Sequence, residues 1–323
     1  MKKKQWLGVL LLLLASFFWG STFVAQSETG VEPFTYLAMR SWVAVVFLFP
    51  VAVIFDLSKI KRSVIDTKNK VNIKPLMVSS VLCGVVLYLA SALQQIGISK
   101  GTDAGKAGFI TALYLLIVPV FGLFVGKRVK PLLWICIGIS FVGLFLLCMT
   151  SGLREFSLKA LFSKELLTNM SFMTGDIYVF GCAVIYAVHI MVVDKFSAEV
   201  DCLKLSLLQF FTVAVLATIS MFVFENPDSS MIASSWVSIV YAGVLSSGVA
   251  YTLQIFGQKY TQPALASMLM SFESSFAVLS AIAFSVFTTG SAQLPTGYEW
   301  TGIALMFFAI MLSQIPQKNK EKI

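Results

Sequence analysis

Residues 75–98 read PLMVSSVLCGVVLYLASALQQIGI, 24 positions without a charged side chain. A helix rises about 1.5 Å per residue and the hydrocarbon core of a bilayer is about 30 Å thick, so a run of this length can cross a membrane. The apolar positions are continuous rather than alternating, which favours a helix over a barrel strand. Outward from this run the pattern recurs. Ten segments qualify, at roughly 6–25, 34–55, 75–98, 104–126, 131–150, 174–194, 204–224, 235–257, 263–287 and 298–316. Pro33, Pro75, Pro131, Pro227, Pro263 and Pro295 mark the ends of these spans or the connections beside them, where a missing N–H costs little.

Composition agrees. Of the 323 residues, 58% are hydrophobic and 12% charged, against roughly 45–50% and about 25% in soluble chains. The net charge of +8 does not point to nucleic acid, because the basic residues lie in short tracts between apolar runs. Cys83, Cys136, Cys148 and Cys182 fall inside those runs and Cys202 in a short polar connection. No spacing suits zinc or a disulfide framework, so they read as small packing residues. No metalloprotease, nucleophile-elbow or phosphate-loop motif is present, no cofactor is indicated, and the reading is not that of an enzyme.

The opening Met1-Lys2-Lys3-Lys4 and its leucine run could be a signal peptide. The apolar stretch continues to about residue 25, beyond the roughly 7–15 residues of a signal core, so it is read as the first span. With the N-terminus in the cytoplasm, 18 of the 24 Lys and Arg fall on the cytoplasmic side and five outside, with Arg40 inside a span. That bias predicts both termini cytoplasmic and a multi-pass protein of the plasma membrane.

The halves resemble each other. Leu93-Gln94 and Gly97 match Leu253-Gln254 and Gly257, and Ala104 matches Ala264, all at an offset of 160. Residues 15–20 of the first span match residues 182–187 of the sixth in character. Two units are expected, 1–150 and 174–316. An odd number of spans per unit turns the second upside down. The predicted fold is therefore an all-α polytopic membrane protein of ten helices in two inverted five-helix repeats, an arrangement of secondary transporters.

Phe18-Trp19-Gly20-Ser21-Thr22-Phe23, the Ala104-Gly105-Lys106-Ala107-Gly108-Phe109 start of the fourth span and the Leu93-Gln94/Leu253-Gln254 pair resemble the drug/metabolite transporter superfamily, EamA type. The resemblance implies a central cavity built from spans 1–4 and 6–9, with 5 and 10 peripheral. Two departures stand out. Glu273 is followed by Ser274 where relatives often carry Glu-Pro, which removes a proline kink expected in the ninth span, and Gly126-Lys127-Arg128 replaces Gly-Glu-Arg. Pro119 keeps the first-half proline.

Ionisable groups within spans are costly, so each is weighed. Glu273 lies near mid-depth of the ninth span, with Ala266, Met270 and Ala277 on its face; it could couple transport to protons or bind a cationic solute, against a plainer packing role. His189, the only histidine, shares a face with Cys182 and Tyr186. It could relay protons, but a neutral imidazole bonded to a neighbouring helix is preferred. The matching face of the first span carries Ala15, Trp19 and Thr22. Arg40 could meet an anionic substrate, yet snorkelling outward to Glu28 or Glu32 is preferred. Lys106 sits at the external mouth of the fourth span, facing either water or the cavity; Tyr114, near mid-depth of that span, could line an aromatic pocket with Trp19, Tyr88 and Tyr251, against a plainer packing role.

The function expected is a secondary active carrier moving a small metabolite or drug across the bilayer by alternating access, outward, with proton antiport. Uptake is the nearest alternative. A channel or a non-transporting scaffold are alternatives of another class.

Overall fold

The computed structural model describes residues 2–27, 30–62, 73–102, 104–150, 173–289 and 294–315. Glu28 lies outside these residues, as do several of the basic residues counted for topology: Lys68, Lys70, Arg154, Lys159, Lys164 and the tail lysines 318, 320 and 322. The described residues are mostly helical, joined by short connections and without strands. The main helices are α1 (Lys2–Ser27), α2 (Pro33–Arg62), α3 (Ile73–Ser99), α4 in two pieces (Ala104–Thr111 and Tyr114–Phe124), α5 (Pro131–Met149), α6 (Thr174–Phe196) and α7 (Cys202–Phe224). After a short helix at Ser229–Ser234 come α8 (Trp236–Tyr241, a π-helical stretch Ala242–Ala250, then Tyr251–Gln258), α9 in two pieces (Pro263–Met270 and Glu273–Thr289) and α10 (Gly297–Ser313). Cys202 therefore opens α7 rather than lying in the connection before it.

Among the described residues, nine helical stretches are long and apolar enough to cross a membrane, and α10, at 17 residues, is a shorter apolar helix. Large apolar side chains such as Val46, Phe124 and Phe222 point away from the protein. In water they would be a liability; against lipid tails they cost nothing.

Pairing of the helices follows a rule. α3 packs on α6 as α8 packs on α1; α3 also packs on α7 as α8 does on α2; α4 packs on α6 as α9 does on α1. The pairs α2–α7, α4–α9 and α5–α10 each map onto themselves. Adding or subtracting five turns this set of pairs into itself. The matched glycines show how close these contacts are. A Cβ on Gly97 would sit 2.9 Å from the carbonyl oxygen of Gly175, and one on Gly257 would sit 3.1 Å from that of Gly8. The first is too close for a Cβ and the second tighter than nearly all Cβ contacts, so small residues let α3 meet α6, and α8 meet α1, backbone to backbone.

Polar groups tie the pairs at their ends. The Glu225 carboxylate, just past α7, accepts from the backbone N–H groups of Phe34 and Thr35 at 2.7 Å each and from Thr35 Oγ1 at 2.8 Å. This satisfies orphan donors in the first turn of α2, which carries no acidic residue of its own there. Lys204 and Asp56 close the opposite end of that pair at 2.8 Å. The Asp201 side chain caps α7 through the N–H groups of Leu203 and Lys204.

Three helices depart from regular geometry. In α4 the Leu115 N–H bonds Ala112 O at 3.0 Å and the Leu116 N–H bonds Leu113 O at 2.9 Å. In α9 the Phe272 N–H bonds Leu269 O at 3.3 Å and the Ser274 N–H bonds Ser271 O at 3.4 Å. Both are tight i→i+3 turns set into an α-helix. The ninth span is thus interrupted without a proline, contrary to the expectation from Ser274. In α4 the break precedes Pro119, which lies inside the second piece.

Two apolar cores flank the centre. One joins residues such as Leu12, Leu115, Leu144, Ile190 and Met268 of α1, α4, α5, α6 and α9. The other joins Leu37, Leu48, Leu87 and Phe210 of α2, α3 and α7. Trp19 and Tyr186 pack against both. The seam between the cores is where the cavity lies.

Candidate functional site

The breaks and the π-helical stretch converge on this seam. Thr111 ends the first piece of α4 and Tyr114 begins the second; Glu273 begins the second piece of α9. The Tyr114 hydroxyl donates to Glu273 Oε1 at 3.4 Å, a long bond that joins the two interrupted helices. Ser246, from the π-helical stretch of α8, faces the same space. Irregular backbone at membrane depth is tolerated where it lines a cavity.

That cavity is lined by Trp19 and Thr22 of α1, Arg40 of α2, Gln94 of α3, Thr111 and Tyr114 of α4, Tyr186 and Ile190 of α6, Ser246, Tyr251 and Gln254 of α8, and Met270 and Glu273 of α9. It offers about 70 Å³ to the centre of a water molecule, against the ~10–15 Å³ that one water needs. Several waters or a compact solute fit. The resemblance implied walls from spans 1–4 and 6–9. α7 lends no lining residue; its Phe210 stands behind Tyr251, ring centroids 5.3 Å apart.

Tyr251 is the hub. Its ring meets Trp19 edge-on at 4.9 Å, and its hydroxyl lies 3.3 Å from that of Tyr186, which in turn lies 3.3 Å from Ser91 Oγ. On another wall Gln94 Nε2 donates to Thr111 Oγ1 at 3.1 Å. Gln254 Nε2 donates to Gln258 Oε1 at 3.0 Å, while Gln254 Oε1 is buried with no partner. Trp19 Nε1 and Arg40 Nε are also buried without partners. Buried polar atoms are usually satisfied, so unpaired donors and an acceptor around one cavity mark a place for solute or water. Among the described residues no three of His, Cys, Asp and Glu lie together as a metal site would require.

Six of the eight residues singled out in the sequence, Glu273, Trp19, Thr22, Tyr114, Tyr186 and Arg40, meet here. Two do not. His189 is fully buried behind Tyr251, its Nε2 3.4 Å from Gln209 Oε1 of α7. Lys106 is paired at 2.6 Å with Asp176 at the start of α6, and Asp176 also accepts from Thr102 Oγ1 at 3.0 Å and from the Met173 N–H at 2.9 Å. Tyr88 likewise turns away, its hydroxyl bonded to Ser220 Oγ.

Arg40 is a correction. It does not snorkel: it is 8% exposed, its guanidinium lies 5.9 Å from the Tyr36 ring centroid, and it forms no salt bridge among the described residues. Its helix face also carries Leu37 and Ala44 of the second core, which turns the side chain inward. Gln94, Thr111, Ser246 and Gln254 were not singled out as site residues. The glutamines had appeared only as markers of the repeat, although an amide at matched depth in two apolar spans is itself a signal.

Comparison with known proteins agrees with this architecture. The EamA-like transporter family matches residues 6–149 and again 173–314. An uncharacterized transporter of Archaeoglobus fulgidus is 24% identical over 304 residues, 93% of this chain and 83% of the relative. A solved crystal structure shares the fold at a TM-score of 0.70 and 19% identity, covering 95% of this chain and 96% of that one. The chain belongs to the EamA-like transporter family.

Proposed function

We propose that this protein is a secondary carrier, not an enzyme, that moves a small metabolite through the central cavity by alternating access, with Glu273 taking up and releasing the coupling proton. The observation that carries this is a carboxyl at the break of α9, hydrogen-bonded to Tyr114 at the break of α4, in a cavity with unpaired donors. Residues 1–150 and 174–316 act as inverted repeats, a reading supported by the exchange symmetry of the helix pairs. The protein lies in the plasma membrane with both termini in the cytoplasm, as the distribution of Lys and Arg favours.

A carboxyl alone would exchange protons for a cationic solute, which is the antiport and export read from the sequence. The cavity also holds Arg40, so the charge of the solute decides whether proton and solute move in opposite directions or together. Proteoliposomes loaded with a defined mixture of amino acids, organic acids, amines and nucleosides test the carrier reading. Under an imposed pH gradient, at least one component should exchange faster than from protein-free vesicles, with saturation and counterflow. Glu273→Gln, shown monodisperse in detergent, should lose the acceleration by the gradient. Flux that neither saturates nor shows counterflow would assign a channel instead, and no flux at all would sink the proposal.

A further inference from the structure

Two charges define the cavity, and they are not paired with each other. Arg40 is more than nine-tenths buried, lines the cavity and keeps Nε without a partner. A buried cation with no counter-ion is expensive, so a side chain kept in this state needs a partner that comes and goes. A guanidinium suits a carboxylate, whose two oxygens match its fork of N–H donors. The cavity that Arg40 lines also presents the rings of Trp19, Tyr186 and Tyr251 and the apolar side chains of Ile190 and Met270, with uncharged polar groups between them.

The groups that face Glu273 complete the charge count. From α4 comes Tyr114, from α6 Tyr186 with Cys182 behind it, from α8 Tyr251 and from α2 Arg40; α1 adds the uncharged Trp19 and Thr22. With the tyrosines and the thiol neutral, the cavity carries one positive charge when Glu273 is protonated and none when it is ionised. We propose that the transported solute bears a single carboxylate on a compact apolar body, and that it binds to Arg40 together with the proton on Glu273. Ionisation of Glu273 cancels the attraction and releases the anion. The pair crosses without net charge beyond that of the protein, and an outside-acid gradient drives the solute inward. This rests on the carrier reading above but reverses the sign of coupling that a lone carboxyl gives.

Matched probes test it in the purified protein: phenylacetate, phenylacetamide and phenethylamine, with the equivalent isovaleryl and indole-acetyl triplets. Each acid of a binding triplet should raise the melting temperature, with affinity at least tenfold above its amide and amine. Acid affinity should fall as pH rises through the ionisation of Glu273, by up to one log unit per pH unit for one linked proton. Arg40→Gln should abolish the preference for the acid and Arg40→Lys should restore part of it; Glu273→Gln should remove the pH slope. Because the wild-type slope alone carries the sign, the test survives variants that fail to fold. An amine or amide that binds as well as its acid overturns the proposal, as does acid affinity that is flat or rises with pH, the outcome for a zwitterion that needs an ionised Glu273. A set of triplets without one binding acid overturns it too. Counterflow of other solutes in proteoliposomes would then leave the carrier reading standing, whereas acid binding without any flux would end that reading and not this site.

Discussion

Depth in a helix could be read from sequence, but the direction a side chain takes could not. Glu273 and Tyr114 were placed near mid-depth by counting residues, and both line the cavity. Depth alone does not orient Arg40, because about 9 Å is within reach of the interface for a long side chain. Only the packing of Leu37 and Ala44 into the second core shows which way its face turns. His189 tests the same distinction in reverse. Its buried contact to Gln209 is a packing bond, so His189→Gln should leave the pH profile of transport unchanged while lowering stability by about 1 kcal/mol, the ordinary net worth of one hydrogen bond. Transport assays across pH 5–9, alongside thermal unfolding in detergent, check both parts. A displaced pH profile would return the histidine to the proton path. Tyr251→Phe should act oppositely. It removes the hydroxyl that faces Tyr186 but keeps the ring against Trp19, so solute affinity should weaken by about fivefold, equivalent to about 1 kcal/mol, with stability nearly intact.

At the scale of elements, span positions are legible because apolar length alone sets them, and the observed helices fall within four residues of those expected, except that α2 runs on from 55 to Arg62. Their interruptions are not. α9 breaks at Ser271-Phe272 with no proline, in a tight turn whose N–H groups bond Leu269 O and Ser271 O, and no single residue type marks it in the sequence. What holds the elements together is unevenly distributed. The α4–α6 pair is clamped at one end by Lys106–Asp176, with side chains 11% and 6% exposed, and at the other by Lys127–Asp194, 42% and 14% exposed. Removing one member of a buried pair leaves charge in low dielectric, while an exposed pair is screened by water. Asp176→Asn should therefore cost about 3 kcal/mol, and Lys127→Gln less than about 1 kcal/mol. Unfolding in detergent measures the two directly. Equal losses would mean that burial does not distinguish the clamps.

For the whole molecule, the principal pairings of helices map onto themselves when five is added to each number, and the sequence shows this only through sparse matches at an offset of 160. Such symmetry places conditions on topology. Two five-helix units of opposite sense require ten crossings and bring both termini to one side. The doubtful crossing is α10, whose 17 residues span about 25 Å, short of the ~30 Å hydrocarbon core. Its contacts argue that it crosses all the same. It runs along α5, with a Cβ on Gly302 lying 2.5 Å from Gly143 O, and its start is capped by Thr296 and Glu299. α5 itself has 19 residues, so the two form a matched pair of short helices around which the bilayer can thin. With the native cysteines replaced, single cysteines at Ser63, Ser291 and Asn319 should respond to an impermeant thiol reagent in intact cells as shielded, labelled and shielded. Labelling at Asn319 with Ser63 still shielded would mean that α10 does not cross. The exchange symmetry would then describe packing alone, because the second unit would lack the crossing that makes it the inverted image of the first.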